Sequence, residues 1–207
     1  MRALYDSFVL FAVAQEGAPG FSVLPNTRAL YSVRLWGPLG SLWADHFSLG
    51  VSALGLSILN GFARQDASGA WGAEFLITPT EGATDPTTVD YLALTRAEPL
   101  VRSPAPLVLE DYALDGSPER GAALYLEVRA RDRLGFLGSL LRTLAQLSLV
   151  PKEMTIGTRD GEAFDRFLLK AADGRLPTDH TRQVLAATLD RTVRRALGPR
   201  SAGVAPL

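Results

Sequence analysis

The feature that most restricts how this chain can fold is a long internal repeat. "RALYSVRLWGPLGSL" (Arg28–Leu42) and "AALYLEVRARDRLGFLGSL" (Ala122–Leu140) share an "ALY" run, a "VR" pair and an "LG" that opens an apolar helical pattern. With Val33 set on Val128, Gly40 falls on Gly135 and Leu42 on Leu137, an offset of 95 residues. That spacing is far longer than a solenoid unit and close to half the chain, so it points to a duplicated domain. At 207 residues, each copy is large enough to bury its own core.

The second copy is the more legible. "AALYLEVRA" alternates as a strand does, and Leu134, Leu137, Leu141, Leu144 and Leu147 recur at helical spacing. "VPKEMTIG" and "AFDRFLLKA" are strands on either side of Asp160-Gly161, a strong hairpin turn signal. A final helix carries Val184, Leu185, Leu189, Val193 and Leu197, with Pro177 before it, Thr178 or Asp179 as its cap and Gly198 to end it. The first copy repeats the order: strand "ALYSVRL", helix "LGSLWADHFSLGVSALG", strands "LSILNGFARQ" and "AWGAEFLIT" around "DASG", and a short helix with Asp85 and Pro86 at its start. "FVLFAVAQEG" (Phe8–Gly17) and "LVLEDYALDG" (Leu107–Gly116) leave room for an extra strand at the head of each copy.

The expected class is therefore α+β, with two ferredoxin-like βαββα sandwiches in tandem. The expected boundaries are a first repeat over 1–98, a proline-rich linker over 99–106, a second repeat over 107–198 and a disordered tail over 199–207.

Charge and composition narrow the function classes. Twenty-one Lys plus Arg against 22 Asp plus Glu leave no global bias toward nucleic acid, and the basic run "DRTVRRALGPR" reads as a solvated helix end. No cysteine is present, which excludes disulfides, thiolate metal sites and thiol nucleophiles. His46 and His180 have no carboxylate at metal-motif spacing, so neither a metal nor a cofactor is expected. No apolar run approaches the roughly 20 residues of a membrane span, and a cytoplasmic protein is the expectation.

Residues 124 to 197 resemble an ACT domain, a small regulatory module. The resemblance rests on the strand ending in "RDRLG", the helix "FLGSLLRTLAQLSL", the hairpin "EMTIGTRDGEAFDRFLL" and "ADGRLPTD" before the last helix. It is nearest in flavour to the "DRPG" turn in the sensor region of the bacterial nitrogen-signalling uridylyltransferase. Asp132, Arg133 and Gly135 match that turn, and Leu134 stands where proline is usual. Residues 29 to 98 resemble a diverged second copy, with "GPLG" (Gly37–Gly40) at the corresponding place.

The resemblance implies a homodimeric, non-catalytic regulator whose small effector, commonly an amino acid, binds against the strand-to-helix turn at a repeat or subunit interface. Carried over by position, the candidate ligand-binding residues are Asp132, Arg133, Leu134, Gly135, Phe136 and Leu137 in the second repeat. In the first they are Trp36, Gly37, Pro38, Leu39, Gly40 and Leu42. Ser57 takes the polar position early in the second strand of its repeat, where the other repeat has Val150.

The turn also has a reading independent of family. Glycine admits close backbone approach, and the first helical N–H groups point outward at an anion. Asp132 is placed to cap the helix that follows, with Arg131 and Arg133 on the other side. Trp36, Trp43 and Trp71 read as core aromatics, with Trp36 near enough to the turn to line a ligand. Two other classes stay open: a ligand-free interaction scaffold on the same fold, and a ferredoxin-like enzyme using Arg34, Arg129 or Asn60.

Overall fold

A computed structural model describes residues 18–27, 29–96, 106–116 and 123–197. The strand expected at 8–17, the linker up to residue 105 and the tail from 199 lie outside them.

Alternation of apolar and polar residues builds eight strands. They are β1 (Gly20–Thr27), β2 (Leu30–Gly37), β3 (Leu56–Gln65), β4 (Trp71–Pro79), β5 (Asp111–Asp115), β6 (Leu124–Arg131), β7 (Leu149–Arg159) and β8 (Glu162–Ala171). Between them run helices α1 (Trp43–Ala53), α2 (Tyr91–Leu94), α3 (Phe136–Gln146) and α4 (Asp179–Leu197), with a 3-10 turn at Pro86–Thr88. The strands form one antiparallel sheet in the order β1-β2-β4-β3-β7-β8-β6-β5. Read from either edge toward the middle, the order is the same, and the fold is α+β and consistent with ferredoxin-like topology. In each half the leading strand, β1 or β5, lies beside the first strand of the βαββ unit.

The expected hairpins form for local reasons. Asp160 and Gly161 both take positive φ (54° and 78°), the pairing a two-residue primed turn requires between β7 and β8. The Asp66 carboxylate accepts from the Ser68 and Ala70 N–H groups and closes the turn between β3 and β4. Thr178 caps α4, its Oγ1 accepting from the Thr181 N–H. Asp85 and Asp90 accept from Thr87 and Ala93 N–H at the starts of the 3-10 turn and α2.

Sequence alternation missed one strand. β1 over Gly20–Thr27 carries "GFSVLPNT", whose proline and asparagine read as a loop; Pro25 is tolerated because β1 is an edge strand and bulges between Pro25 and Thr27. Leu134 departs from the helical stripe expected of it, since α3 starts only at Phe136 and Leu134 sits 40% exposed in the turn.

The core lies on one face of the sheet, under the helices, as one continuous cluster that runs from Val33 to Leu189 and includes residues of both halves. The halves meet in two layers. In the sheet, β3 and β7 pair from Asn60↔Gly157 to Arg64↔Glu153. Above it, α1 packs on α3: a Cβ on Gly138 would lie 2.7 Å from the Leu49 side chain, and Arg142 pairs with the buried Asp45 at 3.0 Å. Asp45 and Gly138 are each the third residue of their helix, and Leu49 and Arg142 each the seventh. The helix crossing thus places two equivalent contacts, one filled by a charge pair and the other by a leucine on a glycine.

Candidate functional site

The strand-to-helix turn of the second half opens onto this junction. β6 ends at Arg131, Asp132 donates its N–H to the Gly161 carbonyl, and the chain reverses at Gly135, whose φ of 83° favours glycine. Gly135 is the N-cap of α3 and supplies no side chain to cap it. Asp132 does not cap the helix either, which corrects the expectation: its Oδ2 accepts from the Thr158 hydroxyl at 3.0 Å. The left-handed glycine turns the chain before Asp132 can reach the first-turn N–H groups.

A small cleft of about 30 Å³, partly open to solvent, lies where this turn faces the other half. From the second half it is walled by Asp132, Arg133, Gly135, Phe136, Leu137 and Gly138, with Ile156, Thr158, Ala163 and Asp165 from β7 and β8. From the first half come Ser48 and Ser52 on α1 and Leu56, Ser57 and Ile58 at the start of β3. A Cβ at Gly135 would stand 3.0 Å from the Ser52 hydroxyl, so the backbone there approaches α1 as closely as a side chain would prevent.

The structure thus brings Ser57 together with Asp132, Arg133, Gly135, Phe136 and Leu137, which sequence reading had assigned to different repeats. Leu134 lies in the same turn without lining the cleft. The first repeat's candidates are elsewhere. Trp36 lies over Gly20 of β1, where a Cβ would meet its ring at 2.7 Å, and the left-handed Gly37 abuts Pro19. Pro38 and Gly40 are exposed, Leu39 packs partly on the core, and Leu42 is the N-cap of α1 at 39% exposure.

Two functional groups of the cleft escaped the sequence reading. Asp165 is 1% exposed; its Oδ1 accepts from the Gly157 N–H at 3.3 Å, and its Oδ2 is buried with no hydrogen-bond partner. Burial raises the Asp165 carboxyl to a pKa of about 7, opposed by the Gly157 hydrogen bond and helped by the nearby Asp132 charge. Ser48, 3% exposed, has an equally unsatisfied buried hydroxyl. Such groups cost about 1–3 kcal/mol each when left unpaired. The signal for Asp165 was in the alternation of "AFDRFLL": Ala163, Phe167 and Leu169 are core residues two and four positions away, so Asp165 shares their face.

Among the described residues, the other half has no such carboxylate. Val33 pairs across the sheet with Phe75 and Val128 with Asp165, so Phe75 holds the position equivalent to Asp165. There Phe75 stacks on Phe47 at 4.9 Å, beside Trp43 and over Gly61, where a Cβ would come within 2.3 Å of its ring. Aromatic packing takes the place that the polar cleft occupies in the second half. Among the described residues, no group of three or more metal-ligating side chains occurs, and no helix is long and apolar enough to cross a membrane.

No family model and no curated protein matches the chain. A crystal structure of aspartate kinase from Synechocystis is similar over 83% of this chain and 27% of that one, at 11% identity and a TM-score of 0.41. The chain therefore spans about a quarter of that protein, and a likeness this loose carries no argument about activity.

Proposed function

We propose that the protein is a non-catalytic regulator that binds a small effector, an amino acid, in the cleft between its two halves. The observation that carries this reading is the cleft's unsatisfied polar interior. Asp165 Oδ2 and Ser48 Oγ stand buried without partners beside the open first turn of α3. The Phe136 N–H of that helix donates to the Arg133 carbonyl, and no side chain caps the N–H groups that follow, so a carboxylate there would gain about 0.3–1 kcal/mol from the helix dipole alone. A ligand seated there touches α1 and β3 of one half and α3, β7 and β8 of the other. Its binding energy therefore favours one relative setting of the halves, which is how occupancy is passed to a partner protein. The resemblance of the turn to the ACT module supports the same reading. A homodimer belongs to the proposal too, and light scattering on the purified protein measures it directly.

A thermal-shift screen against the twenty amino acids and common nucleotides tests the reading. An amino acid is expected to raise Tm, and Gly135→Val is expected to abolish the rise by straining a left-handed backbone and pushing toward Ser52. Gly40→Val, with nothing within 4 Å of its Cβ, is expected to leave it intact. Silence across the panel would favour an interaction scaffold, and turnover in a general hydrolase panel would overturn both.

A further inference from the structure

We infer that the inner end of the cleft is an ammonium anchor: Asp165 Oδ2 and Ser48 Oγ receive a primary ammonium group, so the ligands this protein takes are small primary amines, free amino acids among them. The inference rests on reading the cleft as an effector site, and it names the group by which the effector is recognised.

The argument starts from what the buried atoms lack. Asp165 Oδ2 is an acceptor with no donor, on a carboxylate that is 1% exposed. An unpaired buried carboxylate demands a donor, and a positively charged one compensates its lost hydration far better than a neutral N–H or O–H. Asp132 adds a second negative group on the same cleft, which repels an anion from this end. Arg133 is the charged residue of opposite sign on the wall, and its guanidinium donates to the Pro106 carbonyl. The remaining polar side chains lining the cleft are the hydroxyls of Ser48, Ser52, Ser57 and Thr158. A primary ammonium is compact and brings three donors, enough for the carboxylate, the Ser48 hydroxyl and one further acceptor. With about 30 Å³ free, the cleft takes the ammonium head between its polar groups and its leucine, isoleucine and phenylalanine lining, and the rest of the ligand lies toward the solvent-open side. A zwitterion meets complementary ends, with its ammonium toward Asp165 and its carboxylate toward the α3 start and Arg133.

Occupancy then depends on pH. The ammonium binds the ionised carboxylate, and Asp165 ionises at a pKa of about 7. Affinity therefore rises about tenfold from pH 6 to pH 8 and levels off above that, until the ligand's own ammonium loses its proton.

The test is calorimetric titration of the full chain with three probe sets: the free L-amino acids, their N-acetyl derivatives, and the carboxylate-free amines methylamine and ethanolamine. Binding of an amino acid that is lost on N-acetylation, weakened tenfold or more by Asp165→Asn, weakened by Ser48→Ala and strengthened from pH 6 to 8 supports the anchor. An amino acid that binds Asp165→Asn and wild type alike, at both pH values, overturns the anchor and leaves the effector site standing. Amines that bind through Asp165 while no amino acid does keep the anchor and overturn the amino-acid reading. No binding from any set overturns both. Should Asp165→Asn fold poorly, the carboxyl carbon resonance of Asp165 in the wild type decides: it moves on adding the bound probe if the anchor is right and stays put if it is not.

Discussion

Asp165 carries a cost to this fold in a single buried carboxyl. Its carboxyl is held at a pKa of about 7 against 3.8 for the free group, chiefly because burial penalises the charge. The native state thus keeps a proton that the unfolded chain has already released. The contribution of this group to stability is greatest below pH 4, falls as pH rises from about 4 to 7 and is flat above 7, a change of at most about 4 kcal/mol, while Asp66 and Asp85, whose carboxyls are held low by their turn hydrogen bonds, act in the opposite direction in acid. Urea titrations of the ligand-free protein at pH 4.5 and 8 are expected to give the lower midpoint at pH 8. Asp165→Asn is expected to flatten that slope, and an unchanged slope in the variant would assign it to other groups. Natural chains retain such costs where a site needs them.

Among the elements, the crossing of α1 and α3 couples the halves through two unlike contacts. Gly138 leaves room for the Leu49 side chain and lies 3.2 Å, measured from its virtual Cβ, from the Leu49 main-chain nitrogen, so the neighbour cannot simply move aside. Gly138→Leu is expected to destabilise the protein by about 1–3 kcal/mol through overpacking. At the equivalent contact, Arg142 is 27% exposed and Asp45 only 5%, so removing the arginine strips a partner from a buried carboxylate. Arg142→Ala is expected to cost about 3 kcal/mol, and the Asp45→Ala, Arg142→Ala double variant less than the single. Chemical denaturation of the four proteins of that cycle measures the coupling; additivity would mean the pair contributes nothing of its own.

In the whole molecule, the edge pairing that a duplicated sheet invites between subunits takes place inside one chain, through β3 and β7. The remaining edges are poor templates: β1 carries Pro25 and a register break, and β5 is a five-residue strand that begins at Asp111 and ends at Asp115. Because the sheet and core run without interruption across both halves, thermal unfolding is expected as a single transition with equal calorimetric and van't Hoff enthalpies. Two resolved transitions would show that the halves melt separately and that the cleft is a junction between independent bodies.

Periodicity and turn chemistry alone determined most elements of this protein. The Asp160-Gly161 hairpin, the Thr178 cap, the leucine stripe of α3 and the repeated strand-helix order are all local, and local backbone preferences suffice for them. The glycine turn at Gly135 was legible for the same reason. What only the tertiary structure decided is which repeat faces which. Ser57 and the Asp132–Leu137 turn lie some 75 residues apart and share a cleft because β3 pairs with β7 and α1 crosses α3. Equivalent positions then diverged through packing that one sequence cannot reveal: Phe75 closes its half with an aromatic stack, whereas Asp165 leaves its half a buried carboxyl oxygen without a partner. Cross-strand neighbours set those fates, and register between distant strands is a property of the folded chain.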